Sequence, residues 1–343
     1  MANYQNTLIL DAIANLTDGA NKDMRAPSYG ATQAFSEYKR DVIVNYDEFN
    51  LVENKSELQD KKIDYLRRDS QSLGTARSAS LTGAMGDSTR DSLTWVTYTR
   101  EFTISDSVMR QNRIAAQRIM ENQLRNARLD IGAGIETDAV TKLEAFKNTV
   151  QGSRNLGTWD SSNYVSEIAF TNKTEYFNYI ATEMRTLDYN GMLQEIHTAN
   201  ANALINYQVA QGQANSANLQ FQYPDFEFYT SSSVTNLSDY FCTSYVVPAQ
   251  TLALVDWIPG KNREGVMDHA DWDFTQMPDP FGIFDRLAIA VQKKVQNSTS
   301  TGYALNGTSQ DMVWLYEMSV DVAFYIPTIT TGKVVNKYGL VSS

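Results

Sequence analysis

The stretch "SDSVMRQNRIAAQRIMENQLRNARLD", residues 105–130, decides the fold. It contains neither Pro nor Gly, and Ser105 followed by Asp106 suits a helix start, because a hydroxyl caps the first amides and an acid meets the positive end of the helix dipole. At about 100° per residue, its apolar side chains form one narrow stripe, and its arginines occupy an adjacent face. Such a helix predicts a strut that lies on one surface. The stripe consists of Met109, Ala116, Met120, Leu124, Ala127 and Ile131.

The helix is expected to continue well beyond this stretch. Gly132 and Gly134 should loosen or kink it, and "IETDAVTKLEAFK" resumes the helical pattern to about Lys147. A helix of roughly 40 residues would be about 60 Å long at a rise of about 1.5 Å per residue.

Residues 41–104 predict a two-stranded excursion. Val42, Val44 and Tyr46 alternate with polar residues, and "LTWVTYTREFTI" at 93–104 offers a matching strand. The residues between them are first highly charged and then small and polar. A loop of this length is uncommon inside a compact domain. Two interpretations therefore stand: a disordered linker, or an arm that projects from the body and becomes ordered against a neighbour.

The remainder predicts a mixed α/β region. "TNKTEYFNYIATEMRTLDYNG" (171–191) has the pattern of an amphipathic helix capped by Asn172 or Thr174, and 197–212 that of a second helix. Strands are expected at 226–230, 251–258 and 285–295. The clearest pattern is "MVWLYEMSVDVAFYI" (312–326), whose strict alternation predicts one very long strand with a bend or bulge. The fold class is therefore α+β.

Composition excludes several classes of protein. The 343 residues carry a formal net charge of −11, which argues against a dedicated nucleic-acid binder. Cys242 is the only cysteine, so neither an intramolecular disulfide nor a thiolate metal cluster can form. The opening residues lack a basic n-region, and no apolar run approaches the roughly 20 residues of a membrane helix, so we expect neither a secretory signal nor a membrane span.

Residues that could carry chemistry are few. "MDHADWD" groups Asp268, His269, Asp271 and Asp273, but it lacks the Gly turn and terminal Glu of a calcium loop, which favours a solvated acidic loop. His197, near a predicted helix start, is expected to be a surface or capping residue. Spacing alone does not exclude a Ser/His/Asp triad, yet no nucleophile-elbow, phosphate-loop or zinc-protease motif is present. We expect no enzyme, no catalytic residue, no metal and no cofactor.

Taken in order, these elements resemble the major capsid proteins of tailed double-stranded DNA phages, the Hong Kong 97-type fold that encapsulins also use. "TREFTISDSVMRQNRIAAQRIMENQLRNARLDIGAGIETDAV" resembles the end of the family's extended loop running into its spine helix, and 171–191 resembles a later helix. "TLALVDWIPGKNREGVMDHADWDFTQMPDPFGIFDRLAIAV" resembles the axial-domain strand, surface loop and returning strand, including the turn at 279–282. The resemblance implies an N-terminal arm at 1–40, an extended two-stranded loop at 41–103, a peripheral domain with the spine helix at 104–190, a mainly axial domain at 191–312, and a return strand with C-terminal tail at 313–343.

The function implied by this resemblance is structural. Copies would assemble into hexamers and pentamers of an icosahedral shell around double-stranded DNA, without sequence-specific binding and without a membrane. The virion would be its location and the host cytoplasm its place of assembly, with a portal and a separate scaffolding protein as further partners. The alternatives are an encapsulin-type nanocompartment, an aromatic-rich carbohydrate-binding surface protein, and a hydrolase using His269 with Asp271. Candidate inter-subunit contacts are Arg67, Arg68, Arg77, Arg90, Arg110, Arg118, Arg125 and Arg128.

Overall fold

The computed structural model describes residues 27–43, 46–47, 62–66, 88–105, 113–150, 157–213, 225–258, 272–278, 286–298, 309–328 and 333–342. The helices are α1 (Gly30–Glu37), α2 (Lys39–Val42), α3 (Arg113–Phe146), α4 (Tyr176–Thr186) and α5 (Ala201–Gln213). The strands are β1 (Lys62–Leu66), β2 (Ser88–Ser92), β3 (Trp95–Ser105), β4 (Thr158–Asp160), β5 (Val165–Ile168), β6 (Leu193–His197), β7 (Phe226–Thr230), β8 (Tyr240–Pro248), β9 (Ala253–Trp257), β10 (Trp272–Pro278), β11 (Arg286–Ser298), β12 (Ser309–Tyr325) and β13 (Asn336–Val341). The fold is a mixed α+β fold, as expected.

The long strand β12 organises the first sheet. This sheet has the order β10-β11-β12-β3, and β9 follows β11 along the same edge of β12. Tyr316, Met318 and Val320 on one face of β12 are buried, and the strand runs over Ser309–Tyr325, so the predicted long strand is confirmed. The predicted bulge is not present, since the register of β12 with β3 and with β11 runs without a shift. Long partners on both edges satisfy successive amides, and no extra residue is inserted.

The helix α3 lies on this sheet and contacts β3 and β12. Its 34 residues span about 50 Å. Met120, Leu124, Ala127 and Ile131 are buried as predicted, and the stripe continues through the second half of the helix. Gly132 and Gly134 lie inside one unbroken α-helix, so the predicted kink is wrong. Packing along the whole length of α3 outweighs the low helix propensity of two glycines.

Ser105 is the last residue of β3 and pairs with Val313 of β12. Residues 106–112, which separate it from the described part of α3, lie outside the described residues, so the predicted cap at Ser105 stays a prediction. Met109 and Arg110, which precede Arg113, lie outside the described residues.

A two-stranded hairpin is present, although its strands are not those expected. β1 pairs with β2 in antiparallel register, Lys62 opposite Ser92, whereas β3 belongs to the first sheet. The strand predicted over 42–46 is wrong, because Lys39–Val42 is helical and Ile43 and Tyr46 are both buried at the spacing of one helical turn. Those two side chains pack with residues of the hairpin base, β9 and β12: Ile63, Leu93, Ala253, Val255, Ala323 and Tyr325.

The second sheet has six strands in the order β4-β5-β13-β8-β6-β7. α4 packs on it through the buried side chains of Tyr176, Ile180 and Met184, as the amphipathic pattern predicts. The predicted caps Asn172 and Thr174 are wrong: Phe170–Glu175 forms a 3-10 turn, and Glu175 precedes α4 without a side-chain cap.

Each sheet contains strands from more than one of the sequence regions given above. β9, β10 and β11 lie within 191–312 and pair in the first sheet, whereas β13 joins the C-terminal residues to the second. Along the described ranges, no helix is both long enough and apolar enough to cross a membrane.

Candidate functional site

Two of the predicted arginines form an uncovered face on α3. Arg118 and Arg125 are seven residues apart, about two helical turns, and lie on the side opposite the buried stripe. Arg118 is exposed, Arg125 is half-buried, and the apolar side chain of Ile119 beside them is 39% exposed. A basic strip that includes an exposed aliphatic side chain suits contact with an acidic protein surface.

The other candidate arginines have different positions. Arg90 is exposed on β2, opposite Asp64 of β1. Arg128 is only 1% exposed, and its guanidinium lies 5.8 Å from the centre of the Tyr29 ring, so its position does not suit the surface contact that the sequence predicts. Arg67, Arg68, Arg77 and Arg110 lie outside the described residues.

Side-chain contacts join β3, the strand that follows the hairpin, to α3. The Tyr98 hydroxyl donates to Asp138, and Arg100 Nε donates to Asp130 Oδ2 over 2.8 Å. Burial and the bond to Asp138 raise the pKa of Tyr98 well above its usual value, so its hydroxyl stays protonated. β3 is therefore held against the helix.

A charged cluster joins the end of α3 to the second sheet. Glu144 accepts from Lys147 Nζ over 2.5 Å, from Lys337 Nζ over 3.0 Å and from the Tyr245 hydroxyl over 2.5 Å. Burial raises the pKa of Glu144, but these three donors outweigh it and lower the pKa below the ordinary range. Burial in turn lowers the pKa of Lys337, an effect that Glu144 opposes.

The middle of α3 holds the N-terminal segment. The fully buried Glu136 carboxylate accepts from the amides of Ala31 (2.9 Å) and Thr32 (2.8 Å), from Thr32 Oγ1 (2.7 Å) and from Ser231 Oγ (2.5 Å). It thereby caps the first turn of α1, whose N–H groups have no partner within that helix. Part of the predicted arm at 1–40 therefore belongs to the body.

Sequence reasoning missed Glu136, because it lies on the same helical face as Arg118, five turns further along. Only the tertiary position of α1 distinguishes the two. The local sequence gives no signal for it, since Asp138 is a second acid two residues further along the same helix.

A hydroxyl, an imidazole and a carboxyl meet inside the second sheet, but they do not form a catalytic triad. Ser244 Oγ donates to Glu195 Oε1 over 2.6 Å, whereas His197 Nε2 lies 3.1 Å from Asn202 Oδ1 and 3.2 Å from Thr230 Oγ1. The serine is thus not paired with the base, as nucleophilic catalysis needs. His197 is fully buried, so its predicted surface position is wrong.

The predicted acidic loop is only partly described. Asp273 lies in β10, while Asp268, His269 and Asp271 lie outside the described residues. Within the part of the chain that the structure describes, no three His, Cys, Asp or Glu side chains are grouped as metal ligands.

A groove of about 310 Å³ lies between the 3-10 turn and α5. Phe170, Tyr207 and Phe241 line it, with Lys173 Nζ 4.5 Å from the centre of the Phe170 ring. Apart from Lys173, Thr174 and the Tyr207 hydroxyl, its lining is apolar. A sugar needs more hydrogen-bonding side chains than this groove presents.

Comparison with known proteins gives likenesses of fold. No family model and no curated protein matches the chain. Among solved structures, a chain of Mycobacterium phage Che8 is 8% identical, with 94% of each chain covered and a TM-score of 0.49. A chain of Mycobacterium phage Cain is 11% identical, with 96% of this chain and 97% of that chain covered and a TM-score of 0.46. A chain of the "Capsid of Ralstonia phage GP4" is 10% identical, with 94% and 93% covered and a TM-score of 0.45.

The resemblance to phage capsid proteins that the sequence predicted is confirmed as a likeness over nearly the whole chain. With TM-scores below 0.5, it carries no argument about what this chain binds or how it assembles.

Proposed function

We propose that this chain is a structural capsid protein of the Hong Kong 97 type, which assembles into hexamers and pentamers of an icosahedral shell around double-stranded DNA. The observation that carries the proposal is α3, a helix of 34 residues whose N-terminal half is buried along one stripe and leaves Arg118, Ile119 and Arg125 uncovered. The order of elements supports it: a hairpin, then the long helix, then five of the six strands of the second sheet, and then the long strands β11 and β12, of which β12 contacts the helix.

Charge supports self-assembly. Each copy has a formal net charge of −11, so neighbouring copies supply carboxylates in excess for the uncovered arginines of α3. The same acidic balance suits a container for DNA. Each additional phosphate contact would strengthen DNA binding in a salt-dependent way, and a shell that gripped its contents would hinder their entry and release.

The proposal assigns roles along the chain. Residues 41–103 would form the extended loop that crosses a neighbouring subunit, with Arg90 among its contacts, and the N-terminal residues would reach under another. The second sheet would form most of the axial domain at the centre of each capsomer. A portal and a separate scaffolding protein would act as partners in the host cytoplasm, with the virion as the final location. No enzymatic step is proposed.

The proposal is tested by reversing the charge of the uncovered face. Wild-type chain is expected to elute as capsomers or closed shells in size-exclusion chromatography. The double variant Arg118→Glu with Arg125→Glu should elute as subunits, because two acids would then face an acidic neighbour.

Two controls separate assembly from folding. The variant should keep the wild-type circular dichroism spectrum, since both side chains lie outside the buried stripe. Arg185→Glu changes an exposed arginine of α4 that pairs with Asp225, and should assemble normally. A double variant that assembles like wild type would contradict the proposed contact face. The contents of the particles, DNA or protein, distinguish a capsid from an encapsulin-type compartment.

A further inference from the structure

Among the described residues, two glutamates are fully buried, and their surroundings differ. Glu136 accepts four hydrogen bonds, two of them from backbone amides. Glu195 accepts one, from Ser244 Oγ, and no donor in the described part of the chain lies within hydrogen-bonding distance of its Oε2. A buried carboxylate needs several donors or a cation to offset its loss of water, whereas a neutral carboxylic acid needs far fewer.

The described groups around Glu195 supply neither several hydrogen-bond donors nor a lasting positive charge. β6 lies between β7 and β8, and His197 of the same strand has its Nδ1 3.9 Å from Glu195 Oε1, beyond hydrogen-bonding distance. From β8, Ser244 and Cys242 face the carboxyl, and from α4 the Tyr176 hydroxyl donates to Ser244 over 3.1 Å. Among the described residues, His197 is the one basic side chain within ion-pair distance.

His197 is itself placed as a neutral imidazole. Its Nε2 lies between Asn202 Oδ1 and Thr230 Oγ1, no described residue forms a hydrogen bond with its Nδ1, and the side chain is completely buried. Burial lowers the pKa of His197, an effect that its hydrogen bond to Asn202 opposes. His197 is therefore not the permanent positive charge that would be needed to stabilise an ionised Glu195.

We propose that the folded chain holds Glu195 as a neutral carboxylic acid at neutral pH, and that this makes the second sheet an alkali-sensitive element of the fold. In the folded chain, burial raises the pKa of Glu195 to about 8, opposed by its hydrogen bond from Ser244. This inference concerns the single chain and does not depend on assembly.

The direction of the pH effect follows from linkage. The folded-state pKa of Glu195 lies above its unfolded value, so its contribution to stability is complete below the unfolded pKa and is lost as the pH rises through the folded pKa. Between the unfolded and the folded pKa of Glu195, the unfolding constant should increase about tenfold per pH unit. The contribution of His197 to stability has the opposite pH dependence. Its folded-state pKa is lowered, so this contribution is present above its unfolded pKa of about 6.5 and is lost as the pH falls through the folded pKa. Between pH 6.5 and 8, the expected loss of stability therefore comes from Glu195 and not from His197.

The experiment measures urea unfolding of the full chain at pH 6.5 and pH 8. Wild type is expected to unfold at lower urea at pH 8. Glu195→Gln keeps an acceptor for Ser244 but cannot ionise, so it should unfold at similar urea at both pH values and be the more stable chain at pH 8. Glu136→Gln is the matched control, because it weakens a multiply hydrogen-bonded carboxylate: it should be destabilised at both pH values and keep the wild-type pH dependence.

The opposite pattern would overturn the proposal. If Glu195→Gln were destabilised as strongly as Glu136→Gln and kept the pH dependence, Glu195 would be ionised and paired with a charged His197. The infrared spectrum of wild-type protein gives a second readout that needs no variant. The carbonyl stretch of a buried carboxylic acid should be present at pH 6.5 and lost above pH 8, and its absence at pH 6.5 would refute the proposal.

Discussion

Alanine substitutions at two glycines of α3 should differ in their effect on stability. Gly132 and Gly134 lie in the same unbroken helix, and Gly→Ala in a helix interior stabilises by about 1 kcal/mol through backbone entropy and propensity. This gain is common to both positions. What differs is the space that the new methyl group would enter.

At Gly132 a Cβ atom would lie 2.6 Å from Arg128 Nη1 and 2.9 Å from two ring atoms of Tyr29. Neither neighbour can move cheaply, because Arg128 is 1% exposed and the Tyr29 hydroxyl donates to the Leu129 carbonyl. Overpacking of this kind costs about 1–3 kcal/mol. At Gly134 the nearest atoms are in the Tyr98 ring, at 3.5 and 3.6 Å, which is ordinary van der Waals contact.

We therefore expect Gly134→Ala to stabilise the chain by up to about 1 kcal/mol, and Gly132→Ala to be neutral or destabilising by up to about 2 kcal/mol. Urea unfolding followed by circular dichroism, with free energies from linear extrapolation, measures both. The quantity of interest is the difference between the two variants, about 1–3 kcal/mol, because the shared helix propensity cancels. If Gly132→Ala were as stable as Gly134→Ala, the side chains of Arg128 and Tyr29 would not pack against Gly132 as described.

Two further predictions concern the attachments of α3. Glu144→Gln removes the counter-charge of Lys147 and Lys337 and should cost about 1–3 kcal/mol at pH 7, less than a fully buried pair because Glu144 is partly exposed. The pKa of Glu144 is lowered in the fold, so its contribution to stability is present above its unfolded pKa and is lost as the pH falls through its folded pKa. The urea midpoints at pH 7 and pH 4 should therefore differ more in wild type than in the variant. Equal differences in the two proteins would contradict the charged cluster. Tyr98→Phe leaves Asp138 without its donor and should lower the free energy of unfolding by about 1–2 kcal/mol, whereas an unchanged value would mean that this contact does not hold β3 to the helix.

The elements that sequence predicted well are those whose pattern is set by one buried face. The described first part of β12, up to Met318, has one buried face and its sequence alternates, and the N-terminal half of α3 has a readable stripe because one of its faces packs on the first sheet. Strands covered on both faces have no such pattern. β6 and β8 are buried at nearly every position, and neither was predicted.

The remaining differences come from contacts between residues far apart in sequence. Arg128 appears on an exposed arginine face until Tyr29, about one hundred residues earlier, covers it. The buried positions of Glu136 and Glu195 depend in the same way on α1 and on Ser244. Local pattern cannot supply these partners.

Negative-stain electron microscopy of the purified chain, over a range of salt and protein concentrations, tests the central claim most directly. The account predicts rings of five or six subunits or closed shells, with the same species seen by size-exclusion chromatography and light scattering. A monodisperse monomer under every condition, unchanged by added scaffolding protein or portal, would contradict it.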